Sequence, residues 1–102
     1  KTPMLYAIVW EDVENSLPLR QSVRPQHLEH IRELVDQGRV VVAGPFPAVC
    51  ATDPGPAGFT GSLIVAEFPT QADAEQWIRE DVYTTAGVIA TVSVRPFVQV
   101  VP

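Results

Sequence analysis

Two histidines in one amphipathic stretch, residues 22–38, offer the clearest chemistry in the sequence. At about 100° per residue along a helix, the apolar side chains of this stretch fall within one arc. They are Leu28, Ile31, Leu34 and Val35. His27 falls inside the arc and His30 lies at its margin, so we predict that the His27 imidazole faces inward. It could act there as a general base near neutral pH, or be a core histidine held by one hydrogen bond, which composition alone favours.

A second candidate is the glycine-containing segment of residues 58–62, which closes a long loop and enters a strand. Its two glycines allow close approach to the backbone, and the hydroxyls of Thr60 and Ser62 could hold a carboxylate or carbonyl oxygen. Phe59 would be either a wall of the same pocket or a plug of the core. The alternative is a glycine turn that starts a strand, since glycine marks turns more often than sites.

Three further side chains could help to bind a small molecule. Arg20 and Arg24 lie near the N-terminal end of the histidine-bearing helix, where they could attract an anionic ligand. They could equally be surface charges beside glutamate neighbours. Tyr83 could supply a phenol to the pocket or pack beneath the second helix.

Metal and thiol chemistry are not expected. His30 and Glu33, at positions i and i+3, give only two ligands on a solvated face without a cysteine partner, which is weak support for a metal site. Cys50 lies in a proline-rich loop with no basic neighbour to activate its thiol. We therefore predict an inert cysteine, no metal site and no cofactor.

Composition excludes several classes of protein. The 102 residues, 46% of them hydrophobic, suit one domain, which we assign to residues 4–102, with 1–3 as a tag remnant or N-terminal extension. Twelve acidic residues against seven basic ones, a net charge of −5, argue against nucleic-acid binding. Prolines and glycines interrupt the longest apolar run, residues 40–51, so no membrane span is expected. The single cysteine and the lack of a signal peptide predict a cytoplasmic protein.

The hydrophobic pattern predicts the order β-α-β-β-α-β. The predicted strands are residues 4–10, 39–44, 61–68 and 88–97, with the loop 45–60 between the second and third. A short helical piece from a cap at Asn15 and Ser16 to about residue 23 precedes a main helix that starts at Pro25 and stops at Gly38. The second helix is capped by Thr70 and ends near Asp81, and residues 82–87 add a helical turn.

This order folds most simply as an α+β ferredoxin-like sandwich, with four antiparallel strands and both helices on one face. The other sheet face then lacks a cover. Either Tyr6, Ile8 and Trp10 or their neighbours Leu5, Ala7 and Val9 must occupy it. Because so apolar a face usually meets another sheet, we predict a homodimer packed through the open face.

Nine short motifs spread over the whole chain resemble the YciI-like (YCII-related) protein family. They are the sequences MLYAI (4–8), SL (16–17), RPQHL (24–28), GR (38–39), AGP (43–45), GFTGS (58–62), VAEF (65–68), AGV (86–88) and VRPF (94–97). Each motif is weak alone, but nine in the same order are specific. The resemblance implies a ferredoxin-like fold of the dimeric α+β barrel group.

The resemblance also implies a His-Asp pair in a pocket, which falls on His27 and Asp81. Proline usually follows the aspartate in the family, whereas Val82 stands there in this chain. At the C-terminal end of a helix Asp81 would face the negative end of the helix dipole, a conflict that a His27 partner would compensate. Exposure, or a helix continuing past Asp81, would equally remove the conflict.

Together these observations predict a cofactor-independent enzyme in which Asp81 orients His27 as general base. The substrate would be a small, anionic or phenolic organic molecule, and the reaction an isomerisation or elimination. We expect Ser62, Phe59, Thr60, Tyr83 and Arg24 to bind the substrate. The alternatives are a module that binds a small metabolite without turnover, and a partner domain that acts through its sheet face.

Overall fold

The structure is a computed structural model that describes residues 3–102, so residues 1 and 2 of the expected N-terminal extension lie outside it. The strands are β1 (Met4–Asp12), β2 (Val40–Pro47), β3 (Phe59–Phe68) and β4 (Ile89–Phe97). The helices are α1 (Leu17–Asp36), α2 (Gln71–Glu80) and α3 (Val82–Thr85), with a 3-10 turn at Gly55–Ala57. In this part of the chain no helix is both long and apolar enough to cross a membrane.

The four strands form one sheet in the order β2-β3-β1-β4, and every neighbouring pair is antiparallel. With the helices in the crossovers, this is the predicted ferredoxin-like sandwich, which is confirmed. β1 is central, as its run of β-branched and aromatic residues indicated. Pro96 lies in the edge strand β4, where a missing N–H is tolerated.

The alternation of β1 settles which residues face the helices. Tyr6, Ile8 and Trp10 are at most 6% exposed and belong to the core cluster with Ile64 and Trp77. Leu5, Ala7 and Val9 therefore point to the open face, where Val9 is 36% exposed. One face of the sheet thus supplies the core, and the other is left for solvent or a partner.

The prediction of two helical segments separated by Pro25 is wrong, because α1 is one helix of 20 residues with Pro25 inside it. An interior proline costs about 3 kcal/mol through its lost hydrogen bond and steric clash. Packing offsets this cost, since the buried residues Arg20, His27 and Leu34 recur every seven positions and place one face on the sheet. Beyond the helix, Gly38 has the predicted left-handed conformation (φ 70°).

The predicted loop of residues 45–60 is shorter in the structure, because β2 extends to Pro47 and β3 begins at Phe59. β2 is an edge strand, so Pro45 and Pro47 interrupt no central ladder. Only residues 48–58 remain as a connection.

The predicted cap at Thr70 is confirmed, because its hydroxyl oxygen accepts a hydrogen bond from the Asp73 N–H at 3.1 Å. After α2, Asp81 has extended backbone (φ −67°, ψ 145°) and starts α3. Its carboxylate accepts the Tyr83 N–H at 2.9 Å. This break aims the Asp81 side chain at the start of α3 and away from the negative end of α2.

Candidate functional site

The centre of the site is a buried pair of side chains from α1 and the α2–α3 junction. His27 Nδ1 and Asp81 Oδ2 are 2.7 Å apart, and the two residues are 7% and 0% exposed. Oδ2 also accepts the Tyr83 N–H, whereas Oδ1 is buried without a hydrogen-bond partner among residues 3–102. An ionised Asp81 accepts only, so His27 carries its proton on Nδ1 and leaves the Nε2 lone pair free.

Aromatic rings fix the orientation of the imidazole. The His27 and Tyr83 rings are stacked, with centroids 3.8 Å apart and planes 7° from parallel. The Trp10 ring stands nearly perpendicular to both, with centroids 5.9 Å from His27 and 6.2 Å from Tyr83. Since these contacts and the Asp81 hydrogen bond restrain the ring together, Nε2 is held in one direction.

A cavity of about 300 Å³, which we call the His27 cavity, lies between α1 and the helix-facing side of the sheet. From α1 it is lined by Arg20, Arg24, His27, Leu28 and Ile31; from the strands by Trp10, residues 43–45, Ser62 and Ile64; and from α3 by Tyr83. No carboxylate lines this cavity among the described residues. The cavity is therefore an apolar slot whose polar groups are two guanidinium groups, one imidazole and the hydroxyls of Ser62 and Tyr83.

The structure brings only some of the predicted site residues together. Ser62, Tyr83 and Arg24 line the cavity with His27, and Asp81 lies against His27. Phe59 and Thr60 do not line it, contrary to the expectation that they contribute to this pocket. They occupy the first two positions of β3, two and three residues before Ser62, and line a separate hollow near the β1–α1 connection.

Arg20 is not one of two equivalent surface charges. It is 6% exposed, whereas Arg24 is exposed. Arg20 Nε donates to Asp12 Oδ2 at 2.5 Å, and the two N–H groups of its Nη2 are shared among Asp12 Oδ1, the Gly61 carbonyl oxygen and Ser62 Oγ. Ser16 Oγ donates to the same aspartate at 2.6 Å and makes no side-chain bond to the start of α1.

Sequence reasoning did not identify Asp12 or Trp10 as site residues. The sequence did contain an indication of both residues. Trp10 and Asp12 are separated by one residue at the end of β1, so their side chains lie on the same face of the sheet as Ile8. Ser16 and Arg20 follow Asp12 at four and eight residues, Ser16 immediately before α1 and Arg20 in its first turn. The spacing becomes informative only once β1 is known to extend through Asp12.

Burial raises the pKa of the Tyr83 phenol, while the nearby guanidinium groups of Arg20 and Arg24 oppose the shift. The effect of burial is the larger one, so the pKa of Tyr83 lies above the usual value near 10. Tyr83 is therefore a protonated phenol across the physiological range, and it can donate a hydrogen bond in the cavity but cannot serve as its base.

We expect this shift to be measurable in the Tyr6→Phe variant, which keeps Tyr83 as its only tyrosine. Ultraviolet titration should show an ionisation above pH 10. Because the folded state holds the proton more tightly than the unfolded one, the free energy of unfolding should fall as pH rises beyond about 10. Adding Tyr83→Phe should remove that part of the fall. An ionisation at or below 10 would contradict this prediction.

The remaining candidates lie outside the cavity. His30 stacks on Trp77 with centroids 4.3 Å apart, and its Nε2 is 2.9 Å from the Trp77 carbonyl oxygen. Cys50 is exposed in the loop before β3. Within residues 3–102, no group of three His, Cys, Asp or Glu side chains could hold a metal ion.

Comparison with known proteins gives three similarities. The YCII-related domain profile matches residues 4–98. Protein YciI of Escherichia coli is 50% identical over 97 residues, covering 95% of this chain and 99% of that protein. An uncharacterized protein of Haemophilus influenzae is 42% identical over 97 residues, which again cover 95% of this chain and 99% of that protein. The similarity therefore extends over nearly the whole of each protein.

One solved structure combines similar architecture with a named reaction. It is 5-chloro-2-hydroxyhydroquinone dehydrochlorinase from Burkholderia phenoliruptrix in complex with 2,5-dihydroxybenzoquinone. The TM-score is 0.81 at 25% identity, and the match covers 93% of this chain and 94% of that chain.

Proposed function

Since this chain belongs to the YCII-related family, we propose that it is a cofactor-independent enzyme in which His27, oriented by Asp81, moves a proton on a small anionic or phenolic substrate. The observation that carries the proposal is the 2.7 Å contact between His27 Nδ1 and Asp81 Oδ2 at the wall of the cavity. With Nδ1 committed to the carboxylate, Nε2 is the nitrogen available as general base.

The cavity favours a single-ring, electron-rich ligand. Its volume of about 300 Å³ is at the lower end of the range for small-molecule sites. Arg20 is paired with Asp12, whereas Arg24 lines the cavity without an ion pair among residues 3–102. The Arg24 guanidinium in an apolar slot of a protein with a net charge of −5 favours an anionic ligand such as a phenolate.

The reaction we propose is an elimination of the kind named for the dehydrochlorinase. For a chlorinated hydroxyhydroquinone, proton transfer from a ring hydroxyl to the chlorine-bearing carbon gives a non-aromatic keto form. Removal of a second hydroxyl proton then turns its O–H electron pair into a carbonyl bond. The ring double bond at that carbon shifts to the chlorine-bearing carbon, and chloride leaves with the C–Cl pair. The balance is loss of HCl without an oxidant, so one base that shuttles protons is sufficient.

The test is turnover on a panel of chlorinated and chlorine-free hydroxyhydroquinones. Chloride release should exceed the rate in protein-free buffer, and the chlorine-free compounds should take up solvent deuterium at ring carbon. Absence of both in the folded protein would contradict the enzymatic proposal. Saturable binding without either signal would favour the alternative of a metabolite-binding module.

We also propose that the protein is a homodimer through its open sheet face. Strand register places Leu5, Ala7 and Val9 of β1 on this face with Leu63 and Val65 of β3. Val42, Phe46 and Phe97 of the outer strands join them, and these three are 39–51% exposed. On the same face Glu67, Arg95 and Ser93 lie opposite Leu5, Ala7 and Val9, so the apolar surface is a patch and not the whole face. An exposed apolar patch with polar residues around it is typical of a protein interface.

We expect light scattering to give a mass near twice the 11.2 kDa of one chain. Val9→Lys, which puts a charge at the centre of the open face, should give single chains, because an unpaired charge in an apolar interface is costly. Val35→Lys on α1, at a residue 52% exposed, is the matched control and should remain dimeric. A wild-type mass of 11.2 kDa at micromolar concentration would refute the dimer.

A further inference from the structure

The Asp12–Arg20 ion pair has no part in the chemistry proposed above, although Arg20 lines the His27 cavity. The Asp12 and Arg20 side chains are 1% and 8% exposed. Removing two charges from water costs free energy that their attraction often fails to recover, so a buried ion pair is weak evidence of a stabilising role. A role in the site is therefore the better explanation of the pair.

The contact that suggests this use is the hydrogen bond from Arg20 to Ser62. Nη2 donates to Ser62 Oγ at 2.9 Å, and a guanidinium can only donate. The Ser62 oxygen is therefore the acceptor, and its own hydroxyl proton must point elsewhere. Among residues 3–102 that proton has no acceptor, and Ser62 lies at the cavity wall while only 5% exposed.

The contacts of the guanidinium hold it in place as the donor of this hydrogen bond to Ser62. Two of its nitrogens bind the Asp12 carboxylate, and Nη2 also reaches the Gly61 carbonyl oxygen at 3.0 Å. The guanidinium carbon lies 5.1 Å from the centroid of the Tyr83 ring and 5.4 Å from that of Phe59. Carboxylate, carbonyl and two aromatic rings thus fix one orientation of Arg20.

We propose that Asp12 and Arg20 are positioning residues that make the Ser62 hydroxyl an obligate hydrogen-bond donor to an oxygen atom of the ligand. This inference rests on the proposed function and names the group that holds the substrate oxygen. A hydroxyl that accepts from a cation is polarised toward donation, which suits a phenolate or a developing carbonyl oxygen. His27 would move the proton, and Ser62 would hold the oxygen.

The test is binding of 2,5-dihydroxybenzoquinone, an anionic and coloured ligand, by spectrophotometric titration without turnover. Ser62→Ala should raise the Kd about 10- to 100-fold, the usual effect of losing a hydrogen bond to a charged group. Arg20→Lys keeps the charge but cannot reach Asp12, Gly61 and Ser62 together, so its Kd should rise as well. Arg32→Lys, an exposed position on the same helix outside the cavity, should leave the Kd unchanged.

The double variant separates positioning from a structural role. If Arg20 acts through Ser62, Arg20→Lys combined with Ser62→Ala should bind no more weakly than Ser62→Ala alone. An unchanged Kd in Ser62→Ala, additive losses in the double variant, or no binding by the wild type at millimolar ligand would each overturn the inference. Ser62→Ala leaves Arg20 its Asp12 and Gly61 acceptors, so it should fold even if Arg20→Lys does not.

A different measurement, the dependence of turnover on His27, tests the proposed function. Turnover that requires His27 together with an unchanged Kd in Ser62→Ala would overturn this inference alone. Weaker binding in Ser62→Ala with no chloride release or deuterium uptake would support the oxygen-holding role and remove the catalytic one.

Discussion

Replacing His27 by glutamine should reduce turnover of a chlorinated hydroxyhydroquinone by about 10²- to 10⁴-fold, the usual contribution of a positioned general base. Glutamine retains a polar side chain of similar reach but has no basic nitrogen. Because Nδ1 is committed to Asp81 at 2.7 Å, the loss is that of Nε2. The measurement is initial rate of chloride release at saturating substrate, with circular dichroism to verify folding.

The Asp81→Asn substitution tests the role of the carboxylate that contacts the same imidazole. Oδ2 of Asp81 makes both contacts, so an asparagine oxygen at that position would keep them and bury an NH2 group without a partner at the Oδ1 position. The neutral amide would no longer stabilise the imidazolium that forms when Nε2 takes a proton from the substrate. Turnover should fall by a similar factor although the histidine is still present.

The control is His30→Gln on the same helix. His30 stacks on Trp77 and does not line the cavity, so turnover should stay within about twofold of the wild type. A His27→Gln protein that keeps turnover within the same margin would remove His27 from the mechanism, whatever the effect on binding.

The inward face of His27 followed from helical periodicity, yet the arc drawn from the apolar residues was only partly right. Leu28 and Val35 are 37% and 52% exposed, while the charged Arg20 takes a buried position one heptad before His27. Periodicity places a residue relative to its helix, but the packing against the sheet decides which part of the arc is buried. A buried arginine cannot be recognised before its aspartate partner is located.

The meeting of His27 with Asp81, 54 residues away, lay beyond pattern analysis. The motifs of the family supplied the pairing, and the structure places the two side chains in contact although Val82 follows the aspartate. Strand order and helix positions followed more directly, because the order β-α-β-β-α-β permits few simple topologies.

Gly61 is the position where one added methyl group should damage the fold most. It lies in β3 opposite Glu11, and a Cβ atom there would be 2.0 Å from the Trp10 carbonyl oxygen. The same atom would be 3.1 Å from the Trp10 carbonyl carbon and 3.3 Å from Glu11 Cα. All three are backbone atoms of the central strand, so no side chain can move aside to make room.

We therefore expect Gly61→Ala to separate β1 from β3 at the end of the sheet that carries Trp10, Asp12 and Ser62. Overpacking usually costs 1–3 kcal/mol, and a clash with central backbone should reach about 3 kcal/mol or more. For a domain of this size that lowers the melting temperature by roughly 12 °C or more. Turnover should fall with it, because the Gly61 carbonyl is also an acceptor of Arg20.

Gly44→Ala is the matched control, since a Cβ atom there would meet nothing within 4 Å and the strand is at the sheet edge. Its free energy of unfolding should stay within about 0.5 kcal/mol of the wild type, and urea denaturation of both variants at one protein concentration measures the difference. Equal stability of the two variants would contradict this prediction, because β1 and β3 could then separate at Gly61 without a cost in free energy. The close approach of the two strands would then not be needed to hold Ser62 and the Gly61 carbonyl beside Arg20.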